Sequence, residues 1–199
     1  MPITVPDLTT TRLDLRPLTP RDAVDVVRLV NDFEVARYTA TIPHPYDIDM
    51  AREFIAAPET AADAGERFPD DPEGAVVLAI ALREDGRLLG CIGLQKTPEG
   101  TELGYWIGRQ YWGMGYTTEA AVRITRLAFE TYRLPFLIAS AVTINDASHR
   151  VLEKVGFAVT GTGEIHSRAQ NSALPVVHRR LDLEDWQRRS AAADSQAAQ

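Results

Sequence analysis

The sequence predicts one domain of mixed α/β class, in which helices cover both faces of a mostly antiparallel sheet. Of its 199 residues, 45% are hydrophobic and 25% are charged, as in globular chains long enough to bury a sizeable core. Three β-rich runs follow one another over 75–108 with no helix between them, which favours antiparallel neighbours. Helical patterns lie before and after these runs, so the order is not a strict strand–helix repeat.

The N-terminal third contributes one strand and two helices. Alternating leucines predict a strand over 11–18. A helix is then predicted to begin at Thr19 and Pro20, since Thr is a favoured N-cap and Pro a favoured first helical residue. Two prolines indicate a loop over 39–45, and a second helix is predicted from about Asp47.

The remaining elements follow an acidic segment over 63–74, which contains two prolines and two glycines and is interpreted as an insertion within one domain. An Asp-Gly turn predicts a hairpin. The predicted elements are strands over 75–82, 88–94 and 101–108, a helix over 116–132, a strand over 135–143, a helix over 145–155, and strands over 157–161 and 176–183. We expect a single domain over 1–189 and a flexible tail over 190–199.

Charge, cysteine content and the lack of long apolar runs argue against several classes of protein. The chain has 21 Lys and Arg against 28 Asp and Glu, a net charge of −7, which disfavours nucleic acid as a partner. Cys91 is the single cysteine, so neither an internal disulfide nor a thiol-based metal site is available. The N-terminus does not resemble a secretory signal, and the apolar runs are short for a membrane span. We expect a cytoplasmic protein with no membrane partner.

The most informative segment is Gly113-Met114-Gly115, which lies between a predicted strand and a long helix. Two glycines allow a tight turn, and the amide groups of the first helical turn, with the helix dipole, favour an anion such as pyrophosphate. Such glycines also occur in turns that bind nothing. Thr118 replaces the third glycine of a dinucleotide-binding fingerprint, and no Gly-Lys-Ser/Thr of a P-loop follows.

Three blocks of sequence resemble a known family. Gln110 to Gly115 (Q-x-x-G-x-G) is similar to the coenzyme A pyrophosphate loop of the GNAT superfamily of N-acetyltransferases, and the longer string G-Y-W-I-G-R-Q-Y-W-G-M-G-Y-T-T-E-A resembles its RimJ/RimL-like branch. The block N-D-A-S-H-R-V-L-E-K-V-G-F at 145–157 and the opening T-T-R-L-D-L-R-P-L at 10–18 also resemble that branch.

The resemblance implies metal-independent transfer of an acetyl group from acetyl-CoA directly to a primary amine. It also implies a sheet of about six or seven strands, splayed between 101–108 and 135–143, with the pantetheine arm of the coenzyme in the gap. The residues that it implies in cofactor binding are Trp106, Ile107, Gly108, Gln110, Gly113, Met114, Gly115, Tyr116, Thr117, Thr118 and Asn145.

Two catalytic candidates follow from the same resemblance. Glu102 is the candidate base, on the strand before the glycine turn, where its alternative role is a structural ion pair. Ser148 is the candidate acid that protonates or hydrogen-bonds the departing sulfur, and its alternative role is to cap the helix start. Residues 149–155 contain no tyrosine that could replace it. His44, His166 and His178 show no metal-ligand spacing and are expected in loops or at the surface.

The acceptor stays open between a protein N-terminal α-amine and a small-molecule amine. A protein substrate predicts an open acidic groove, whereas a small amine predicts a closed pocket capped by residues 39–72. The alternatives are a non-catalytic acyl-CoA-binding or sensor domain on the same fold, and a protein that binds another phosphate ligand. Related enzymes are often dimers, so the resemblance is compatible with a homodimer.

Overall fold

The computed structural model describes residues 8–60, 64, 68 and 74–197. Its strands are β1 (Leu13–Arg16), β2 (Ala75–Leu82), β3 (Leu88–Thr97), β4 (Gly100–Ile107), β5 (Phe136–Val142), β6 (Ala158–Ser167) and β7 (Ser172–Asp182). The described residues form one seven-stranded sheet in the order β1-β2-β3-β4-β5-β7-β6. Neighbouring strands are antiparallel except β4 and β5, which are parallel, so the mixed, mostly antiparallel sheet is confirmed.

Helices cover both faces of this sheet. The α-helices are α1 (Ala23–Val30), α2 (Phe33–Ala36), α3 (Ile48–Ala56), α4 (Tyr116–Arg126), α5 (Asp146–Val155) and α6 (Leu183–Ala197). Helix α4 continues into a π-helical turn over Leu127–Thr131, and 3₁₀ turns lie at Pro20–Asp22, Pro58–Thr60 and Arg109–Tyr111.

Local signals start these elements where the sequence predicts. The Asp22 carboxylate accepts hydrogen bonds from the backbone N–H and the hydroxyl of Thr19, at 2.7 and 2.9 Å, and this arrangement begins the turn that leads into α1. The Asp47 carboxylate accepts from the first amides of α3, as an N-cap does. Gly86 adopts a φ of 73° in the β2–β3 hairpin, which confirms the Asp-Gly turn.

The sheet separates two hydrophobic cores. We call one side the α1–α3 face, where Val26, Leu29, Ala51, Ala79 and Cys91 are buried together. We call the other the α4–α5 face, where Leu103, Ile107, Ile124, Leu137 and Leu152 are buried together. Because side chains alternate along a strand, the central strands β2 and β3 contribute buried residues to both cores. The face of each polar residue on β4, β5 and β7 follows from its apolar neighbours.

Strands β4 and β5 diverge soon after they meet. Their parallel pairing rests on a single register, Glu102 opposite Ile138. Beyond it the two strands run side by side toward Ile107 and Val142 without a further paired register. A gap therefore opens in the middle of the sheet, as the resemblance implies, and Glu102 lies where the gap begins.

The C-terminal third departs from the predicted boundaries. Strand β6 extends to Ser167, well past the predicted end at 161, and β7 begins at Ser172 instead of 176. The outer strand β6 alternates exposed and half-buried residues, so its hydrophobic pattern is weak. Residues 190–197, expected to form a flexible tail, belong to helix α6. This run is rich in alanine, which has the highest helix propensity.

Candidate functional site

The glycine segment forms a tight connection between β4 and α4. Gly113 and Gly115 adopt φ values of 76° and 81°, in the left-handed region that suits glycine. Gly115 is the N-cap of α4 and has no side chain to satisfy the amides of the first turn. Met114 is exposed, while Tyr116, Thr117 and Thr118 form the half-buried first turn of the helix. The exposed helix start has the geometry and dipole direction that favour an anion.

An ion pair holds this loop against the first strand. The Glu119 carboxylate accepts from the Thr10 hydroxyl at 2.6 Å, from the Arg12 backbone N–H at 2.9 Å and from Arg12 Nε at 2.7 Å. Arg12 also donates to the carbonyl of Met114 at 3.0 Å and lies over the ring of Tyr116. The opening block at 10–18 and the glycine-loop block are thus in direct contact.

The end of β4 presents backbone groups to the gap. The Gly108 N–H donates to Leu89 of β3, so it points away from β5. Since hydrogen-bonding direction alternates along an antiparallel strand, Tyr105 and Ile107 direct their backbone groups toward the gap, whereas Trp106 pairs with β3. The Trp112 indole donates to the Ile107 carbonyl at 3.0 Å. Trp106, Ile107 and Gly108 precede the glycine loop and are all implied in cofactor binding, and of these Ile107 has the direction that suits pantetheine in the gap.

Gly108 is required by close packing with α1. A Cβ at this position would lie 2.5 Å from Cδ2 of Leu29 and 3.3 Å from Oε1 of Gln110. Gln110 itself is exposed in the 3₁₀ turn at the start of the loop. The glycine thus sets how closely the loop approaches α1.

Asn145, not Ser148, caps helix α5. The Asn145 side-chain oxygen accepts from the Ser148 backbone N–H at 3.1 Å, as an N-cap residue does. The alternative role of Ser148 as the cap is therefore wrong, and its hydroxyl is available for another partner. Asn145 was predicted to contact the cofactor, and the described structure uses its side-chain oxygen in the cap.

The partner of Ser148 is a tyrosine that sequence reasoning missed. The Tyr105 hydroxyl lies 2.8 Å from Ser148 Oγ. Burial raises the pKa of Tyr105 to about 12, so the phenol stays protonated at neutral pH and can donate to the serine. A phenol is thus present beside Ser148, but it comes from β4 instead of α5.

Glu102 projects from β4 on the other face of the sheet. Leu103 and Ile107 of the same strand lie in the α4–α5 core, so alternation directs Glu102 toward the α1–α3 face. Burial raises the pKa of Glu102 above its ordinary value of 4.5, although a hydrogen bond with Ser140 and the charge of His178 act in the opposite direction. A half-buried carboxylate with a raised pKa has the properties of a general base.

His178 lies inside the sheet, so its expected surface position is wrong. It is half-buried on β7 directly opposite Ser140 of β5, and its Nδ1 lies 3.0 Å from Ser140 Oγ. The other histidines behave differently: His44 packs edge-on against Phe33, His149 lies 3.3 Å from the carbonyl of Thr143, and His166 is exposed on β6. Within the part of the chain that the structure describes, no cluster of His, Cys, Asp or Glu could hold a metal ion.

The outer hairpin closes one side of the α1–α3 face. Arg168, in the β6–β7 turn, donates to the carbonyls of Ala40 and Thr41 at 3.0 and 3.3 Å, and Gln170 donates to the carbonyl of Arg37 at 2.9 Å. The predicted cap over 39–72 falls partly outside the described residues. Of its described members, Phe68 is fully buried in the α4–α5 core, on the opposite side of the sheet from Glu102.

The acid and base candidates thus approach the gap from opposite faces. Ser148 is on α5 and meets Tyr105 of β4, whose ring packs on the α4–α5 core. Glu102 is on the α1–α3 face at the point where β4 and β5 separate. A group that passes through the gap would therefore meet a base on one side and a hydroxyl donor on the other. This arrangement suits transfer of a group from one bound molecule to another.

Comparison with protein families gives one clear match. Residues 12–158 match the family model described as "Acetyltransferase (GNAT) domain", which covers most of the chain and all the site residues described above except Thr10, Arg168, Gln170 and His178. Among described residues, no helix has the length and apolar character needed to cross a membrane.

Individual relatives agree with this match. The N-acetyltransferase p20 of Bacillus licheniformis is 25% identical over 172 residues, covering 85% of this chain and 92% of the relative. YdaF of Bacillus subtilis (strain 168), provisionally named a ribosomal N-acetyltransferase, is 28% identical over 180 residues, covering 88% and 93%. Among solved structures, Mycobacterium smegmatis RimJ in complex with CoA-disulfide has a TM-score of 0.72 at 19% identity, covering 92% of this chain and 89% of RimJ.

Proposed function

The chain belongs to the GNAT family and is an acetyl-CoA-dependent N-acetyltransferase, and we propose that its acceptor is a protein N-terminal α-amine, with Glu102 as the base and Ser148 as the acid. The observation that carries the assignment of roles is the position of Glu102, half-buried at the start of the gap between β4 and β5. A glycine loop able to hold pyrophosphate follows directly after this strand, β4.

The cofactor fits the residues that surround the gap. The amides of Tyr116, Thr117 and Thr118 at the start of α4 suit the pyrophosphate, because no capping side chain competes for them there. The backbone groups of Tyr105 and Ile107 suit the amide groups of pantetheine, which would pair with them like a strand. Bound acetyl-CoA supplies an activated acetyl thioester.

Each proposed catalytic residue transfers one proton. The Glu102 carboxylate takes a proton from the incoming ammonium, which leaves the neutral amine able to attack the thioester carbonyl. The Ser148 hydroxyl donates toward the sulfur as its negative charge develops. Tyr105 acts as a positioning residue, because its hydroxyl lies 2.8 Å from Ser148 Oγ and can donate to it. In that arrangement the serine proton is directed away from the phenol.

An α-amine is the acceptor that suits this base best. α-Amines have a pKa of about 7.7–8.0, whereas lysine side chains have a pKa of about 10.4. The pKa of Glu102 is raised but starts from 4.5, so proton transfer from an α-ammonium is less unfavourable by about two to three pKa units. The name of YdaF points the same way. Acetylation of a small-molecule amine would be the second outcome of an acceptor screen.

The first test is a thermal shift with acetyl-CoA, free CoA and ATP. If the dissociation constant is ~10 μM, ~1 mM ligand stabilises the fold by roughly 2.7 kcal/mol, which is a rise in Tm of about 5–10 °C. We expect this rise with both CoA species and none with ATP. No rise with CoA would contradict the proposed cofactor site, and an equal rise with ATP would favour a general phosphate site.

The second test is acetylation of a peptide panel, read by mass spectrometry. Peptides that differ only in a free or blocked N-terminus separate α-amine from lysine acetylation, and a set of small amines serves as the third arm. We expect acetyl transfer only to peptides with a free N-terminus. Binding of acetyl-CoA without transfer to any member of the panel would favour the non-catalytic sensor.

A further inference from the structure

A row of polar side chains leads from Glu102 to the outer edge of the sheet. Glu102 of β4 lies opposite Ile138 of β5, two residues before Ser140 on the same face, and the Ser140 hydroxyl acts to lower the pKa of the Glu102 carboxyl. Ser140 Oγ lies 3.0 Å from Nδ1 of His178 on β7. The three strands are adjacent in the sheet, and Ser140 and His178 are direct register partners. All three side chains therefore project from the same face.

The end of the row is shaped to accept the histidine ring. A Cβ at Gly163 of β6 would lie 2.3 Å from Nε2 of His178, so the ring lies over this glycine. Any other residue at 163 would force the ring to move. His178 is half-buried, and β6 is the outermost strand, so the row ends near solvent.

The proposed reaction requires a route by which a proton leaves the site. An α-amine enters largely as an ammonium at neutral pH, because its pKa is about 7.7–8.0. The balanced reaction is RNH₃⁺ + CH₃C(O)S-CoA → RNHC(O)CH₃ + HS-CoA + H⁺. One proton per turnover must therefore leave the site. Glu102 is half-buried, and an occupied acceptor site would cover it further, so direct release to water is obstructed while substrate is bound.

We propose that Ser140 and His178 form a proton path that returns Glu102 to its carboxylate form. This inference rests on the proposed role of Glu102 as the base. The proton on the Glu102 carboxyl passes to Ser140 Oγ while the hydroxyl proton of Ser140 passes to the Nδ1 lone pair of His178. The O–H bond of Glu102 and the original O–H bond of Ser140 break, a new O–H bond forms at Ser140, and an N–H bond forms at His178.

The products of this step are a carboxylate, a neutral hydroxyl and an imidazolium, and water then takes the proton from Nε2. Proton exchange with water moves the remaining proton from Nδ1 to Nε2, which restores the Nδ1 lone pair for the next turnover. No oxidant or further reactant is needed. The chemistry requires a hydroxyl at 140 that can both donate and accept, and an imidazole at 178 that can exchange protons at both nitrogens. Ser140 and His178 are positioning residues here, since neither contacts the reacting atoms.

Matched variants separate a proton path from a structural role. Ser140→Ala removes the hydroxyl, and Ser140→Thr keeps one. We expect kcat to fall roughly tenfold in Ser140→Ala, with KM for acetyl-CoA unchanged, and to recover in Ser140→Thr. We expect His178→Ala to lose a similar factor and to regain activity as imidazole is added, because the free base replaces the missing ring. His166→Ala, in the same hairpin and exposed, is the control and should show neither effect.

Three results would overturn the path. Wild-type kcat in both Ser140→Ala and His178→Ala would do so. Equal loss in Ser140→Ala and Ser140→Thr with a lowered Tm would show that position 140 only supports the sheet. A loss of kcat in His178→Ala that added imidazole does not restore would show that the His178 ring only supports the sheet.

A readout without substrate keeps this inference separate from the proposed function. The ¹⁵N NMR signals of the His178 ring report how the proton is shared between Nδ1 and Nε2. We expect Glu102→Gln and Ser140→Ala to change them, and the exposed His166 signals to stay in place. If wild-type protein proves inactive on every amine, the proposed function fails. Unchanged His178 signals in both variants would overturn the row of coupled groups whether or not the protein is active.

Discussion

Glu102 gives the site a pH dependence whose direction can be stated. Burial raises the pKa of this carboxyl above 4.5, and the Glu99 charge adds to the rise, while Ser140 and His178 oppose it. A base works in its deprotonated form, so kcat/KM should fall as the pH falls through the raised pKa of Glu102. We expect this acid limb at a pH above 4.5 in a profile measured with a fixed peptide acceptor.

Replacing that carboxyl should remove both the rate and the acid limb. We expect Glu102→Gln to lower kcat by about 10²–10⁴, the usual contribution of a general base, and to leave the acetyl-CoA thermal shift intact. The intact thermal shift is the control for folding. A variant that keeps wild-type kcat and the same acid limb would assign the base to another group.

Tyr105 should have a smaller effect than the serine it contacts. Tyr105→Phe removes one hydrogen bond to Ser148, which is worth about 0.5–1.5 kcal/mol, so we expect kcat to fall roughly 2–13-fold. Ser148→Ala should cost more, because it removes the donor to sulfur. Tyr132→Phe is the control, since Tyr132 is also a buried phenol with a pKa of about 12 but packs against Phe68. Equal kcat in all three variants would contradict both roles.

The glycine loop depends on backbone conformation more than on space. A Cβ at Gly113 would meet nothing within 4 Å, yet the residue has a φ of 76°. Non-glycine residues pay roughly 1–2 kcal/mol for this region. The loop geometry that presents the α4 amides is therefore held by glycine at a strained position.

We expect Gly113→Ala to weaken acetyl-CoA binding as well as stability. The matched control is Gly86→Ala, because Gly86 also has a positive φ of 73° with nothing within 4 Å of its Cβ position, but lies in the β2–β3 hairpin. Both variants should lose a similar amount of stability in urea unfolding. Isothermal titration should show a weaker dissociation constant for acetyl-CoA in Gly113→Ala alone. Equal affinities would remove the loop from the binding site.

Two carboxylates connect β1 to the helices on either face of the sheet. Asp22 pairs with Arg16 at 2.8 Å on the side of α1, and Glu119 pairs with Arg12 at 2.7 Å at the start of α4. Burial acts to raise the pKa of each carboxyl, but the hydrogen bonds to the arginine and threonine partners outweigh it, so both pKa values lie below their ordinary range. The ionised form of each carboxyl therefore contributes to the stability of the fold.

This dependence predicts a loss of stability in acid. A carboxyl whose pKa is lower in the folded state adds stability above its ordinary pKa, 3.8 for Asp22 and 4.5 for Glu119, and that stability is lost as the pH falls through the folded value. We expect the wild-type Tm to drop below about pH 4.5. The double variant Asp22→Asn, Glu119→Gln should have a lower Tm at neutral pH and a flatter acid limb in calorimetry.

The control for that measurement is Asp49→Asn, because its pair with Arg52 is exposed and contributes little. We expect this variant to follow the wild-type curve. If the double variant retains the full acid dependence, other carboxylates control the acid stability of the fold.

Short-range features of this protein could be predicted from its sequence. The caps at Thr19 and Asp47, the turn at Gly86 and the glycine loop at 113–115 each depend on residues within a few positions of one another. Their steric and hydrogen-bonding requirements are therefore visible in a short stretch of chain. The same holds for the order of the strands and helices, which follows hydrophobic periodicity.

Only the tertiary structure decided which side chains share the site. Tyr105 and Ser148 are 43 residues apart, Ser140 and His178 are 38 apart, and Arg12 and Glu119 are 107 apart. Each pair is brought together by strand order and by the face from which a side chain projects, neither of which a short stretch of sequence encodes. The family resemblance could indicate Glu102 and Ser148, but their hydrogen-bond partners emerge only when β4, β5 and β7 become neighbours in one sheet.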